Sequence, residues 1–408
     1  MSFLEQLNPE QREAVLHRDG PLLILAGAGS GKTRVICYRL AYLIGDGHAE
    51  PDQVLAVTFT NKAAEEMRSR VEQLLESESP HLWISTFHAF CARLLRREGP
   101  RIGLSRDFVI YDSVDQLSAV RQAMRDLNVD DKITPPRSLL SRISHAKNRM
   151  ESASDIRQNS HGFGDDQLAA VYERYLQTLT QSGALDFDDL LLKAVTLFET
   201  SDDARERYAD RFRYVMIDEY QDTNRPQYML ILLLTDQHRN LCVLGDPDQS
   251  IYKWRGADLR NILDFEEDYP ETTVVRLERN YRSTQVILDA ATNVISRNQH
   301  RKEKKLYADR SGGEPVICHR ANDELEEADF ILGQIRTGLE ADIDKAAVLY
   351  RTNAQSRALE DALTRDAIPY RVVGGVRFYE RKEVKDCLLY TSDAADDTPC
   401  VDLGGRRI

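Results

Sequence analysis

The sequence has little cysteine: six residues in 408, at positions 37, 91, 242, 318, 387 and 400, with no Cys-x-x-Cys pair. That argues against a disulfide scaffold and a cysteine-built zinc site, and it fits a reducing cytoplasm. Positive charge is in deficit too. Lys and Arg number 54 against 67 Asp and Glu, a formal net charge of −13. Bulk charge therefore does not hold this chain to a polyanion, although a local basic groove stays open because the field that matters is local. No apolar run approaches the ~20 residues of a membrane span. Residues 1–10 lack the apolar stretch of a signal peptide, so no membrane partner is expected. Internal repeats and low-complexity tracts are missing. What is present is 42% apolar residues, enough for packed cores, in a length that allows about two to four domains.

Five short apolar runs stand out: Leu22–Ala26, 54–59, Tyr214–Ile217, 241–244 and Thr273–Leu277. They are continuous rather than alternating, the pattern of strands covered on both faces of a parallel sheet. Helical segments lie between some of them. One covers 33–44 and is expected to stop at Gly45; in another, 63–75, residues Ala63, Met67, Val71, Leu74 and Leu75 share a face. Strand–helix–strand alternation predicts an α/β fold with right-handed crossovers. From about 98 to 187 the rhythm breaks. That stretch is polar and helix-rich, is interrupted by Pro135-Pro136, and reads as a helical insertion without a clear parallel strand. A second α/β series is expected after about 280, with strands at 316–319, 346–350 and 370–373. The basic link 301–310 is expected to be exposed.

The first strand runs into Ala26-Gly27-Ala28-Gly29-Ser30-Gly31-Lys32-Thr33. Small residues let backbone N–H groups close around phosphate oxygens, and the following helix N-terminus adds favourable partial charge. Lys32 reaches the β- and γ-phosphates in such a loop, and Thr33 offers its hydroxyl to Mg²⁺. The usual pattern opens with Gly where this chain has Ala26. Downstream, the strand Tyr214–Ile217 delivers Asp218 and Glu219 at its C-terminal end, where doubly wound sheets place their chemistry. Asp218 is expected to hold the Mg²⁺, and Glu219 to orient and deprotonate a water. Tyr252 and Trp254 alternate with Lys253 and Arg255, an interleaving of aromatics and cations suited to single-stranded bases. Phe87 and Phe90 are expected in the core.

Further motifs narrow this to a family. Asp218-Glu219-Tyr220-Gln221-Asp222 resembles the second motif of superfamily 1 helicases of the UvrD/Rep/PcrA family, whose other motifs follow in order. Leu7-Asn8-Pro9-Glu10-Gln11 is similar to the adenine-reading Gln motif. The segments 58–64 (Thr-Phe-Thr-Asn-Lys-Ala-Ala) and 86–88 (Thr-Phe-His) resemble its early DNA-contacting motifs. The run 245–257, opening Gly245-Asp246-Pro247-Asp248-Gln249, resembles its third motif, and 277–283, containing Asn280-Tyr281-Arg282, its fourth. The segment 374–379 is similar to a later motif of the second motor domain. The resemblance covers roughly residues 1–386. It implies a RecA-like motor domain (1–280) with a helical insertion, part of a second motor domain (281–386), and ATP-driven movement on single-stranded DNA and duplex junctions, 3′-to-5′, in repair or replication. By the same resemblance Gln11 reads adenine, Tyr281 stacks on it, and Arg34 flanks the nucleotide. Gln249 senses the γ-phosphate, and Arg282 reaches it as an arginine finger supplied in cis. Phe59, Asn61, His88, Tyr252, Trp254 and Arg255 contact DNA.

Two departures qualify the resemblance. The family's last motifs do not appear, so the 408 residues are expected to form an incomplete motor that binds ATP and does not unwind duplex. After residue 386 the helical period stops, and residues 387–408 read as a foreign tail. Two other readings of the chain stay open: the helicase subunit of a helicase–nuclease, and a nucleotide-responsive DNA-binding fragment without turnover. The paired acids of 185–191 read as helix packing rather than a metal site. Arg351, Asn353 and Arg357 are divided between DNA phosphate and a solvated helix face.

Overall fold

In the computed structural model, residues 2–77, 81–160, 162–298, 301–340 and 345–373 are described. Their ten strands are β1 (Leu22–Ala26), β2 (Val54–Thr58), β3 (Trp83–Thr86), β4 (Val109–Ile110), β5 (Ala184–Leu185), β6 (Tyr214–Ile217), β7 (Leu241–Gly245), β8 (Thr273–Leu277), β9 (Arg279–Thr284) and β10 (Tyr307–Arg310). Six form one parallel sheet in the order β3-β2-β6-β7-β1-β8. The α/β reading with a RecA-like parallel sheet holds, and all five expected strands are in it. Every residue of β1, β2, β6 and β7 is buried, because helices cover both faces. Leu23 and Leu25 of β1 point into one core with Phe90 and Phe198; Leu22, Ile24 and Ala26 point into the other with Ile36 and Met67.

The sequence reading missed β3. It is four residues long at a sheet edge and contains Ser85 and Thr86, so it carries little of the apolar signal. The helix Lys32–Gly45 runs through Gly45, and the left-handed turn falls at Gly47, φ 74°. In the helix Asn61–Leu75, Ala64 rather than Ala63 is buried with Met67 and Val71. The stretch 98–187 is helical as expected, with its own core around Tyr172, Tyr175 and Ile143. It is bounded by one feature the reading denied, a two-residue parallel pair of β4 and β5.

Two compact units divide after Pro315. The first includes β9, the helix Gln285–Ile295 and β10, with β10 pairing parallel to β9. In the second, none of the expected strands forms within the described residues 316–319, 346–350 and 370–373. Ile317, Leu349 and Val373 are exposed, Leu349 to 91%. A strand is stable only when a neighbour takes up its N–H and C=O groups, and the described residues of this unit offer none. Its small core joins the helices Glu324–Glu340 and Ser356–Arg365 through Ala328, Leu332 and Ala362. Arg351, Asn353 and Arg357 lie here. The backbone N–H of Arg351 donates to Gln355 Oε1, and Arg357 lies 4.0 Å from Asp361. The segment 374–379 and the tail 387–408 lie outside the described residues. No described helix is long and apolar enough to cross a membrane.

Candidate nucleotide and DNA sites

The loop after β1 needs glycine at two points. Gly29 and Gly31 have φ of 74° and 90°, in the left-handed region. Their surroundings are also closed. A Cβ on Gly29 would stand 2.6 Å from Arg282 Cβ, and one on Gly31 would stand 2.8 Å from Gln11 Nε2. Ala26 ends β1 under the loop, Ser30 Oγ donates to the Gly27 carbonyl, and Asn280 donates to the Ala28 carbonyl at 2.5 Å. The helix Lys32–Gly45 then starts with Gly31 as an N-cap that has no side chain to give. Its first N–H groups are thereby left for an anion.

The expected nucleotide residues converge on this loop. Gln11 is buried, accepts from the Asn8 N–H and donates to the Ser30 carbonyl at 3.0 Å. Asn8 in turn donates to the Tyr281 hydroxyl at 3.0 Å, and the Tyr281 N–H donates to the Gly29 carbonyl at 2.9 Å. Arg282 follows on β9, exposed beside Gly29. Arg34 points back to the N-terminal turn, donating to the Gln6 carbonyl at 2.9 Å, with its guanidinium over the Tyr38 ring. Thr33 is exposed in the first helical turn.

Strand β6 carries the acids to the same end of the sheet. Lys32 Nζ donates to Glu219 Oε2 at 3.0 Å. Asp218 is buried, its N–H bonded to the Val57 carbonyl. Burial first, and the charge of Glu219 second, push its carboxyl up to about 6. Asp222 is raised to about 6 for the same two reasons, and its Oδ1 is buried without a partner among the described residues. No cluster of three metal-ligating side chains occurs among the described residues.

A relay leads away from Glu219. Gln221 Nε2 donates to Glu219 Oε2 at 2.8 Å, and Gln221 Oε1 accepts from the Asp246 N–H at 2.9 Å. Asp246 Oδ2 takes the amide of Gln249 at 2.6 Å. Gln249 ends the short turn Pro247–Gln249 just past β7. Beyond it lies the aromatic track. Phe59 stacks on Tyr252, with centroids 5.3 Å apart and planes at 22°, and Tyr252 lies 6.3 Å from Trp254. Trp254 is 71% exposed, unlike Phe87 and Phe90, which are core. Asn61 Oδ1 accepts from Thr86 Oγ1 at 3.3 Å. His88 packs edge-on against Phe187, and burial lowers its pKa, leaving the ring neutral at pH 7. The side chain of Arg255 lies outside the described residues. Phe59, His88 and Trp254 share a cleft of about 1620 Å³ with Arg121, Arg137 and Asn148 of the helical insertion.

Several residues escaped the sequence reading. Gln221 sat inside a quoted motif, yet only the fold reveals it as the link between Glu219 and the third motif. The link 301–310 is exposed at alternate positions, as expected, but three of its basic residues are held by acids. Arg301 and Lys304 pair with Asp248, Lys304 also with Asp246, and Lys302 with Glu266. Leu306 lies across Gly27. The charges are basic as read, but the acids they meet lie between 36 and 58 residues upstream. The acids of 185–191 do pack helices, through a cation the reading overlooked. Lys147 is fully buried and bonds Asp186 and Asp189, both at 2.7 Å, while Asp188 accepts from Ser144. Asn148 donates to Asp188 and accepts from Asn224 at 2.5 Å. Asn148 thereby joins the insertion to the segment after β6.

Comparison with known proteins gives matches over both halves of the chain. The sequence profile of the UvrD/REP helicase N-terminal domain matches residues 7–270, and that of the UvrD-like helicase C-terminal domain matches residues 275–397. The chain is similar to the ATP-dependent DNA helicase PcrA of Staphylococcus epidermidis, 46% identical over 406 residues, which is 98% of this chain and 55% of that protein. It is also similar to that of Bacillus subtilis, 48% identical over 392 residues, 95% of this chain and 53% of that protein. The chain spans about half the length of the curated relatives it matches.

Proposed function

Because the chain belongs to the UvrD/REP helicase family, we propose that it is the ATP-binding part of an ATP-dependent DNA helicase. In this reading it grips single-stranded DNA near duplex junctions, moves 3′-to-5′, and serves repair or replication in the cytoplasm. The observation that carries the reading is the line of polar contacts from Lys32 through Glu219, Gln221 and Asp246 to Gln249, three residues before Tyr252 of the aromatic track.

Each residue then has a task. The loop N–H groups and Lys32 bind the phosphates, and the bond from Lys32 to Glu219 gives way as the phosphates compete for the ammonium. Glu219, still held by Gln221, orients the attacking water and takes its proton. Asp218 and Thr33 would hold Mg²⁺. A carboxyl pushed up to about 6 by burial suits that role, since a cation relieves the cost of its charge. The ion supplies neutralisation of phosphate charge. Arg282 stabilises the γ-phosphate from the β9 side, while Gln11 and Tyr281 hold the base. Rings of Phe59, Tyr252 and Trp254 stack on bases, which suits a chain of net charge −13 because stacking does not depend on bulk attraction.

The test is ATP hydrolysis by this chain with and without single-stranded DNA, beside Lys32→Ala. DNA-stimulated hydrolysis that Lys32→Ala abolishes supports the reading. Nucleotide-sensitive DNA binding with no turnover would favour a non-hydrolysing DNA-binding fragment instead.

A further inference from the structure

The segment 301–310 is a strap rather than a free linker. Lys304 is 5% exposed at its side chain, and its ammonium sits between Asp246 and Asp248, 2.7 Å from the latter. Arg301 adds a second bond to Asp248 at 3.0 Å. Burying a lysine against two carboxylates is expensive unless the geometry is satisfied on all sides, and a connecting segment has no need of it. The acids it meets are those of the loop that carries Gln249. The Asp246 carboxylate accepts three bonds: Oδ1 from Lys304 and the Asp248 N–H, Oδ2 from the Gln249 amide. Any group that draws the Gln249 amide must take it from a carboxylate that Lys304 holds in place.

The other end of the strap is fixed to the nucleotide side. The Lys305 N–H donates to Glu278 Oε1, the Tyr307 N–H donates to the Glu278 carbonyl, and Leu306 lies across Gly27 of the phosphate loop. Ala308 stands in register with Asn280, the residue that bonds the loop at Ala28. One short strap thus connects the strand bearing Tyr281 and Arg282 to the loop bearing Gln249.

We infer that Lys304 is a positioning residue of the motor: through Asp246 and Asp248 it fixes the Gln249 loop, so that nucleotide binding is transmitted to the Trp254 segment. The inference rests on the reading of the phosphate loop as an ATP site. Lys302, on the same strap, pairs with Glu266 away from that loop and supplies a matched control.

The chain has two tryptophans, the buried Trp83 and the exposed Trp254, so tryptophan emission reports the loop. The experiment titrates a non-hydrolysable ATP analogue with Mg²⁺ into the full chain, following Trp emission, with analogue binding measured separately by calorimetry. Wild type is expected to show an emission change. Lys304→Met is expected to bind the analogue with near wild-type affinity and lose at least about half of the amplitude. Lys304→Arg and Lys302→Met are expected to keep it. If Lys304→Met fails to fold, Asp248→Asn carries the test, with a partial loss expected. Full amplitude in the folded Lys304→Met, or in Asp248→Asn where that carries the test, overturns the inference. So does an equal loss in Lys302→Met, or analogue binding by wild type without an emission change. Failure of wild type to bind the analogue overturns the reading of the ATP site, and this inference with it.

Discussion

The two ends of the relay are built on opposite plans. At the phosphate loop, charged and polar side chains hold one another: Lys32 on Glu219, Gln221 between Glu219 and Asp246, Gln11 on Ser30. At the aromatic track, rings stack on rings and the last of them lies open to solvent. The difference suits the tasks that the proposed function gives each end. Charge developing on a phosphate is stabilised by donors that are fixed and desolvated in advance. A strand that must be gripped and released is better met by exposed faces that any base can stack on.

The sharpest break of this contrast is Glu219→Gln. The amide keeps the shape and the bond to Lys32 but loses the base. Turnover in the DNA-stimulated reaction should fall by ~10²–10⁴, with nucleotide binding nearly unchanged by calorimetry. Burial of charge without a ligand is the next case. Lys147→Ala leaves Asp186 and Asp189 facing each other without their cation, and should cost about 3–5 kcal/mol of stability, read from denaturant unfolding, while the loop geometry stays intact.

A third prediction concerns pH. Burial raises the Asp218 carboxyl from 3.8 to about 6, so the folded chain binds that proton more tightly than the unfolded chain does. Its contribution to stability is therefore lost as pH rises from about 4 to about 6 and stays lost above. Asp218→Asn should melt higher than wild type at pH 7, by no more than about 3 kcal/mol, and the gap should close toward pH 4. Smallest in reach is Trp254→Ala. It should weaken single-strand binding by ~1–3 kcal/mol and leave the melting temperature where it was, because the ring is exposed.

The phosphate loop and β1 were legible because both signals are local: a continuous apolar run and glycines required by positive φ. The strand β3 was not, since four residues with Ser and Thr at an edge resemble a turn. Residues 316–319, 346–350 and 370–373 have the composition of strands. Composition does not supply the neighbour a strand needs, and the described residues there form no strand. The strap and Lys147 failed for one shared reason. A basic residue reads as solvated until the fold brings acids to it, and Asp246 and Asp186 lie 58 and 39 residues from their lysines.

The central claim is that the two ends are coupled, and it is tested most directly by one equilibrium. The affinity of this chain for a fluorescent single-stranded oligonucleotide should be measured with and without a saturating non-hydrolysable ATP analogue and Mg²⁺. The account predicts a shift of roughly 5- to 150-fold, mirrored by an equal shift in analogue affinity when DNA is bound. Tight binding of both ligands with affinities that ignore each other would contradict it.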